Sequence, residues 1–289
     1  MATVKICVSP LPHDDEYYRN LDQTTVDWEL ARKDFSSTGS GLAVLCGLSA
    51  YKEKRSNMVK YKKTNTEKKH SQFVIDNIFS WGKNNEKNGR HVLEEYFTEI
   101  GKQNEFIFSE CGIQPALTKT GVHIGASPDG ILRDKETNEI KHVVEIKCPY
   151  SRNFGKYGGI DEYIEYVSSE ENIHHLTPSI TDTVNLRIPA EYFIQIQMQL
   201  FATGTRTGYF VGWTPHCSFV LEIPFHQRLW EEHFEPKCDE FYLEVKDKIK
   251  PVDDKKVNKE GKELKKEIDN IQDVYNKLVY LRIDKPIDL

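Results

Sequence analysis

Residues Glu145 and Lys147 sit two apart in the apolar run Val143 to Lys147. In a strand successive side chains alternate faces, so this carboxylate and this amine share one face while Val144 and Ile146 share the other. Asp129 lies in Ser127-Pro128-Asp129-Gly130, within a second strand-like run, Val122 to Leu132. The polar stretch Arg133 to Glu139 joins that run to Ile140–Cys148 as a candidate antiparallel hairpin, whose pairing brings Asp129 near Glu145. Proline inside a strand favours an edge or a bulge, and bulges often re-aim a side chain beside an active site. Two carboxylates placed together repel, and each is raised in pKa unless a proton or a divalent cation holds them. Oxygen ligands of this kind suit Mg²⁺, with Mn²⁺ as a substitute. The competing reading is an ordinary salt bridge between Lys147 and one of the acids.

Two further groups bear on the same chemistry. Gly82 and Glu86 stand about one helical turn apart in Trp81-Gly82-Lys83-Asn84-Asn85-Glu86, which presents a third acid beside a spot bare of side chain. An exposed Glu86 to Arg90 helix pair, worth about 0.3–0.5 kcal/mol, is the plainer alternative. Tyr192, Gln195 and Gln199 fall on one face of an expected helix from Ala190 to Thr203, next to the apolar stripe Phe193, Ile196 and Leu200. Glutamines there either contact a site or cap loops.

The order Pro-Asp, then Glu-x-Lys within hydrophobic strands, matches the PD-(D/E)xK nuclease signature. Together the strings Gly125-Ala126-Ser127-Pro128-Asp129-Gly130, Val144-Glu145-Ile146-Lys147-Cys148-Pro149 and Tyr192-Phe193-Ile194-Gln195-Ile196-Gln197 resemble the phage lambda exonuclease and YqaJ viral recombinase family, related to viral alkaline nucleases. Order and spacing hold from about Trp28 to Val211. The resemblance implies an α/β fold with a central mixed sheet flanked by helices, and Mg²⁺-dependent 5′ to 3′ digestion of one strand of duplex DNA. It implies that Asp129, Glu145 and the Ile146 carbonyl hold a metal whose shell Glu86 completes. Lys147 and Gln195 then handle the attacking water, and Tyr192 braces the helix. Arg32, Thr38 and Ser40 are similar to the family's grip on a DNA phosphate, and free amides at the start of the Leu42 helix support an anion site. A plain N-cap by Ser40 is the alternative. Gly41, Ala50 and Gly89 depart from the residues the family often has. Ring-shaped trimers and a single-strand annealing protein are further expectations from the resemblance. An endonuclease of the same fold and a non-cutting DNA-binding scaffold are the other readings.

The elements that must position these residues are helices before about residue 100, then two strands, a helix and two strands. Apolar residues Phe73 to Phe79 and Leu93 to Ile100 predict two helices, and a loop-rich stretch follows Pro149 with one helix expected near Glu162 to Val167. Residues 1–250 read as one nuclease domain and 251–289 as a lysine-rich helical extension, in which Leu264, Ile268, Ile271, Tyr275 and Leu278 form a helical stripe. The 289 residues, 38% hydrophobic, carry enough apolar material for a real core, which excludes disorder as the main state. Six scattered cysteines with no Cys-x-x-Cys pair argue for reduced thiols inside a cell, in cytoplasm or nucleus. No apolar stretch reaches the roughly 20 residues a bilayer needs, and no secretory leader is expected at the start. The net charge of −6 hides basic tracks: eight Lys/Arg against two acids from Lys52 to Lys69, and nine Lys against five acids from Lys246 to Lys266.

Overall fold

The computed structural model describes residues 5–49, 53–66, 69–149, 187–215 and 217–283. Strands β2 (Phe106–Ser109), β5 (Gly130–Asp134), β6 (Ile140–Lys147), β7 (Thr207–Trp213), β8 (Cys217–Pro224) and β9 (Lys277–Ile283) form one six-stranded sheet in the order β2-β5-β6-β7-β8-β9. Its pairs are antiparallel apart from β6 with β7, which run parallel. A smaller sheet pairs β1 (Ser37–Thr38), β4 (His123–Ala126) and β3 (Gln114–Leu117) in the order β1-β4-β3. Parallel neighbours need a crossover, and the helix α6 (Ala190–Thr203) provides it between β6 and β7. This is the mixed α/β core expected from the sequence.

Period-two alternation sorts the strand side chains. Val143, Phe210, Phe219 and Leu221 pack on one face against Phe193, Ile196 and Leu200 of α6. Val144, Ile146, Tyr209, Val211 and Val220 pack on the other face against Val92, Leu93, Tyr96 and Phe97 of helix α5 (Ser80–Glu99). Each such fully buried side chain contributes about 1.5–3 kcal/mol, so the two layers fix the sheet between α5 and α6.

Three expectations are corrected. The run Val122 to Leu132 is two strands in two sheets: the ladder of β4 stops at Ala126, and β5 starts at Gly130. Pro128 between them has no N–H to continue a ladder. The two helices expected between Phe73 and Ile100 are one rod, because a π-helical turn at Val74–Phe79 runs straight into α5. The polar stretch between the two apolar groups is itself helix-permissive, and the penalty of about 1 kcal/mol for its interior Gly89 is set against close packing described below. Finally, the C-terminal stripe does not stay helical to Leu278. Helix α8 (Asp254–Tyr275) ends where buried Asn276 turns extended, its Nδ2 donating to Gln272 Oε1 at 3.0 Å, and Leu278 belongs to β9. The stretch expected to hold a helix near Glu162 to Val167 lies outside the described residues.

Helix α8 packs its buried Val257, Leu264 and Ile268 inward, and Gly261 lies against the end of helix α3 (Gly39–Leu45). A Cβ at Gly261 would come within 2.6 Å of the Cys46 and Gly47 carbonyl oxygens, so the two backbones approach as only glycine allows.

Candidate active site

The hairpin register sets Gly130 opposite Val144, which places Asp129 at the level of Glu145 where the ladder ends. Asp129 Oδ2 accepts the Ile146 N–H at 2.7 Å, a bond that ties the Pro128 kink to β6. Glu145 points to the α6 face and is fully buried. Lys147, two residues on, forms an ion pair with its Oε1. Gln195 Nε2 donates to the same oxygen at 2.5 Å, and Gln199 Nε2 donates to Oε2 at 2.6 Å. The face shared by Tyr192, Gln195 and Gln199 is thus the face turned to Glu145. Tyr192 also lies beneath the Lys147 ammonium, which stands 5.3 Å from its ring centre.

Glu86 approaches from α5, on the other side of the sheet. It is placed by Gly89, one turn later, where a Cβ would come within 2.3 Å of Ile146 Cγ2. The bare backbone of α5 therefore lies directly on β6 at the residue between Glu145 and Lys147. Gly82, expected to leave the bare spot, has nothing within 4 Å of its Cβ position, so Gly89 is the glycine that matters for packing here.

Charge in this corner is lopsided. Lost hydration, then the Asp129 charge, push Glu86 up to about 7 although it sits exposed at the rim. Burial, then Asp129, push Glu145 up to about 7 against the pull of Lys147 and Gln199. Burial also raises Asp129, outweighing Lys147 and the Ile146 N–H. Burial pulls Lys147 down, but Glu145 and Asp129 outweigh it and hold the ammonium above its ordinary value. The three carboxyl groups are thus held towards protonation by lost hydration first, with the Asp129 charge adding to it at Glu86 and Glu145, and the one amine does not offset this.

The donor chemistry fits a hard divalent cation: all three acids offer oxygen, and the corner is short of positive charge. It is not a preformed cage. Among the described residues no three His, Cys, Asp or Glu side chains are grouped as a metal site. Both Glu145 oxygens are engaged by Lys147 and the two glutamines, and Glu86 comes from the opposite face.

Arg32, Thr38 and Ser40 form a neighbouring corner. An Arg32 guanidinium nitrogen donates to Ser40 Oγ at 3.3 Å, and the guanidinium lies 4.7 Å from the Trp28 ring centre. Thr38 pairs with Gly125 of β4, and Gly39 would put a Cβ 3.3 Å from Gln195 Cγ, which links this corner to the carboxylates. Arg32 and Thr38 also line a cavity of about 570 Å³ together with Lys33, Ser36, Ser37 and Lys62. Ser40 is not the cap of α3: Thr38 holds that position and makes no side-chain cap bond. The basic track expected from Lys52 to Lys69 is partly consumed inside the fold. Arg55 is buried against Glu240 and Glu244, Lys62 donates to the carbonyls of Lys33 and Phe35, and Lys63 pairs with Asp247.

Three residues clamp the Pro128 kink, and two of them, Gln23 and Trp28, have no role expected from the sequence. Gln23 Nε2 donates to the Pro128 carbonyl at 2.8 Å, Trp28 Nε1 to Ser127 Oγ at 3.3 Å, and Gln199 Nε2 to the Ser127 carbonyl at 3.4 Å. Only Gln199 left a signal, its place on the Tyr192 and Gln195 face.

The chain is similar to the alkaline exonuclease LHK-Exo of Laribacter hongkongensis, whose crystal structure matches at 22% identity over 86% of this chain and 100% of that one, with a TM-score of 0.49. The complex of LHK-Exo with dAMP matches at 21% identity with the same coverage and TM-score. Among proteins of curated function none matches. The profile of the YqaJ-like viral recombinase domain matches residues 27–206, well over half of the sequence and including every residue of the carboxylate corner. The chain therefore belongs to the YqaJ-like viral recombinase domain family.

Proposed function

We propose that the protein is a Mg²⁺-dependent exonuclease that digests one strand of linear duplex DNA from its 5′ end, in recombination, repair or viral DNA processing. The enzyme class is a nuclease, a hydrolase acting on DNA. The observation that carries the reading is the corner itself: Asp129 and Glu145 brought together at the end of a hairpin, with Lys147 against them and glutamines of α6 behind.

Asp129, Glu145 and the Ile146 carbonyl would hold the ion, with Glu86 completing its shell and Mn²⁺ able to substitute. When bound, such an ion polarises a phosphate oxygen, lowers the pKa of a water and steadies the leaving oxygen. The chain's own residues do the positioning. Lys147 Nζ, held by Glu145 and the Tyr192 ring, orients the attacking water, and Gln195 fixes the Glu145 to Lys147 pair. Arg32, Thr38 and Ser40 take the terminal phosphate beside the cavity, which is the support in this chain for a 5′ start.

The test is digestion of linear duplex with Mg²⁺ by Lys147→Ala and Glu145→Ala. Each is expected to lose at least about 100-fold in rate, as when a group serving the transition-state charge is removed. Undiminished digestion by both would end the reading. Circular duplex left intact while linear duplex is consumed separates exonuclease from endonuclease, and comparing 5′-phosphate with 5′-hydroxyl ends reads the Arg32 corner.

A further inference from the structure

Helix α8 carries a ridge of lysines for which the fold itself has no use. Lys255, Lys259, Lys262 and Lys266 follow at steps of four, three and four, which puts all four on one helix face. All four are exposed. The ridge lies opposite the buried Val257, Gly261, Leu264 and Ile268, so it faces away from the core. None of the four makes an ion pair among the described residues, whereas Lys256 and Lys265, off the ridge, pair with Glu260 at 3.7 Å and Asp269 at 2.6 Å. The helix thus neutralises its flanking lysines and leaves the ridge charged, with Glu263 as an acid to one side.

The arrangement works against helix stability. Like charges at i, i+4 repel, as Lys255 does with Lys259 and Lys262 with Lys266. Lys255 also sits in the first turn, where the helix dipole favours acids. Yet the helix is firmly anchored. Near its start the Ser56 N–H donates to Asp254 Oδ1 at 3.1 Å, and near its end Gln272 exchanges hydrogen bonds of 2.8 and 3.0 Å with the Ile188 backbone. Ile188 leads directly into α6, the helix that holds Glu145. A rigid basic ridge on a chain of net charge −6 is an electrostatic footprint with polyanion complementarity.

We infer that this ridge is a second nucleic-acid contact, separate from the carboxylate corner, that grips the sugar-phosphate backbone of DNA without reading its sequence. From Lys255 to Lys266 the helix rises roughly 16 Å. That length spans about five phosphates of one strand at their axial spacing of about 3.4 Å. The inference shares with the nuclease reading only its ligand, and it needs neither metal nor cleavage.

The experiment is fluorescence anisotropy with the full chain, without divalent metal, on a labelled duplex and on a labelled single strand over a series of salt concentrations. The wild type is compared with the variant Lys255→Ala/Lys259→Ala/Lys262→Ala/Lys266→Ala. Each phosphate that a lysine no longer neutralises flattens the plot of log affinity against log salt by about 0.9 on duplex or about 0.7 on single strand. A slope reduced by roughly 2 on either form of DNA is the expected result, and the form showing the larger change is the one the ridge holds. Alanine suits an exposed helix position, and a two-site Lys259→Gln/Lys262→Gln variant keeps side-chain length should the fourfold variant fold poorly. Equal slopes for wild type and ridge variants overturn the inference. So does an equal flattening in Lys102→Ala/Lys135→Ala/Lys141→Ala, which removes charge elsewhere. Because cleavage plays no part in the readout, unchanged slopes leave the nuclease reading standing, and a Lys147→Ala enzyme that no longer cuts leaves the ridge's own slope as it was.

Discussion

Glu145 has no solvent contact, and both of its oxygens are held by three donors. The carboxylate corner compensates for its excess of acid by drawing protons: Glu86 and Glu145 rise from an ordinary 4.5 to about 7, by lost hydration first and by Asp129 second. Between about pH 4.5 and 7 the folded chain therefore binds more protons at these groups than the unfolded one, and their contribution to stability falls as pH rises through that window. A divalent ion must displace the same protons, so its stabilising effect grows in the opposite direction. Raising Mg²⁺ is expected to lift the thermal midpoint more at about pH 8 than at about pH 6. Differential scanning fluorimetry at the two pH values reads this, and equal shifts count against the carboxylate site. The common face of Glu145 and Lys147 was legible from strand alternation alone. The nearness of Asp129 followed from the hairpin. The clamps Gln23 and Trp28 were not legible, because nothing in local spacing links them to a kink about a hundred residues later.

At the level of elements the site depends on two close approaches. One is α6 with its glutamines; the other is Gly89, through which α5 lies on β6 at Ile146. A branched side chain at that position has no room, and overpacking of this sort typically costs about 1–3 kcal/mol. Gly89→Val is therefore expected to lower unfolding stability by that amount in urea titration and to slow DNA digestion by shifting Glu86; a variant as stable and active as the wild type would show that α5 can stand off the strand. Regular elements with strong period were legible: α6 runs from Ala190 to Thr203, as the sequence predicts, and Gly204 closes it in the left-handed region. Continuity was less legible. A polar helical stretch between two apolar groups reads as a break until the strand beneath it is known, and the β4 to β5 run reads as one strand until the two sheets are seen.

For the molecule as a whole, the lysine-rich composition of residues 251–289 sets that segment apart on paper, while its apolar residues join the common core. Val257, Leu264 and Ile268 are buried, and β9 pairs with β8 along the sheet edge. Each buried aliphatic side chain is worth about 1.5–3 kcal/mol, against a total stability of roughly 5–15 kcal/mol for an ordinary domain. A chain ending at residue 250 is expected to lose cooperative thermal unfolding by circular dichroism; a sharp transition at the wild-type midpoint would show that the first 250 residues stand alone. Strand pairing between β8 and β9 spans some sixty residues, and periodicity carries no information about it. The kink at Pro128 has a consequence for synthesis. It is grasped by Gln23 and Trp28 from the beginning of the chain and by Gln199 from far along it. While the polypeptide is still emerging from the ribosome, Gln23 and Trp28 wait for the kink they hold until Pro128 has been made, and Glu145 lacks two of its three supports until α6 has been made. A half-translated copy therefore lacks the assembled corner.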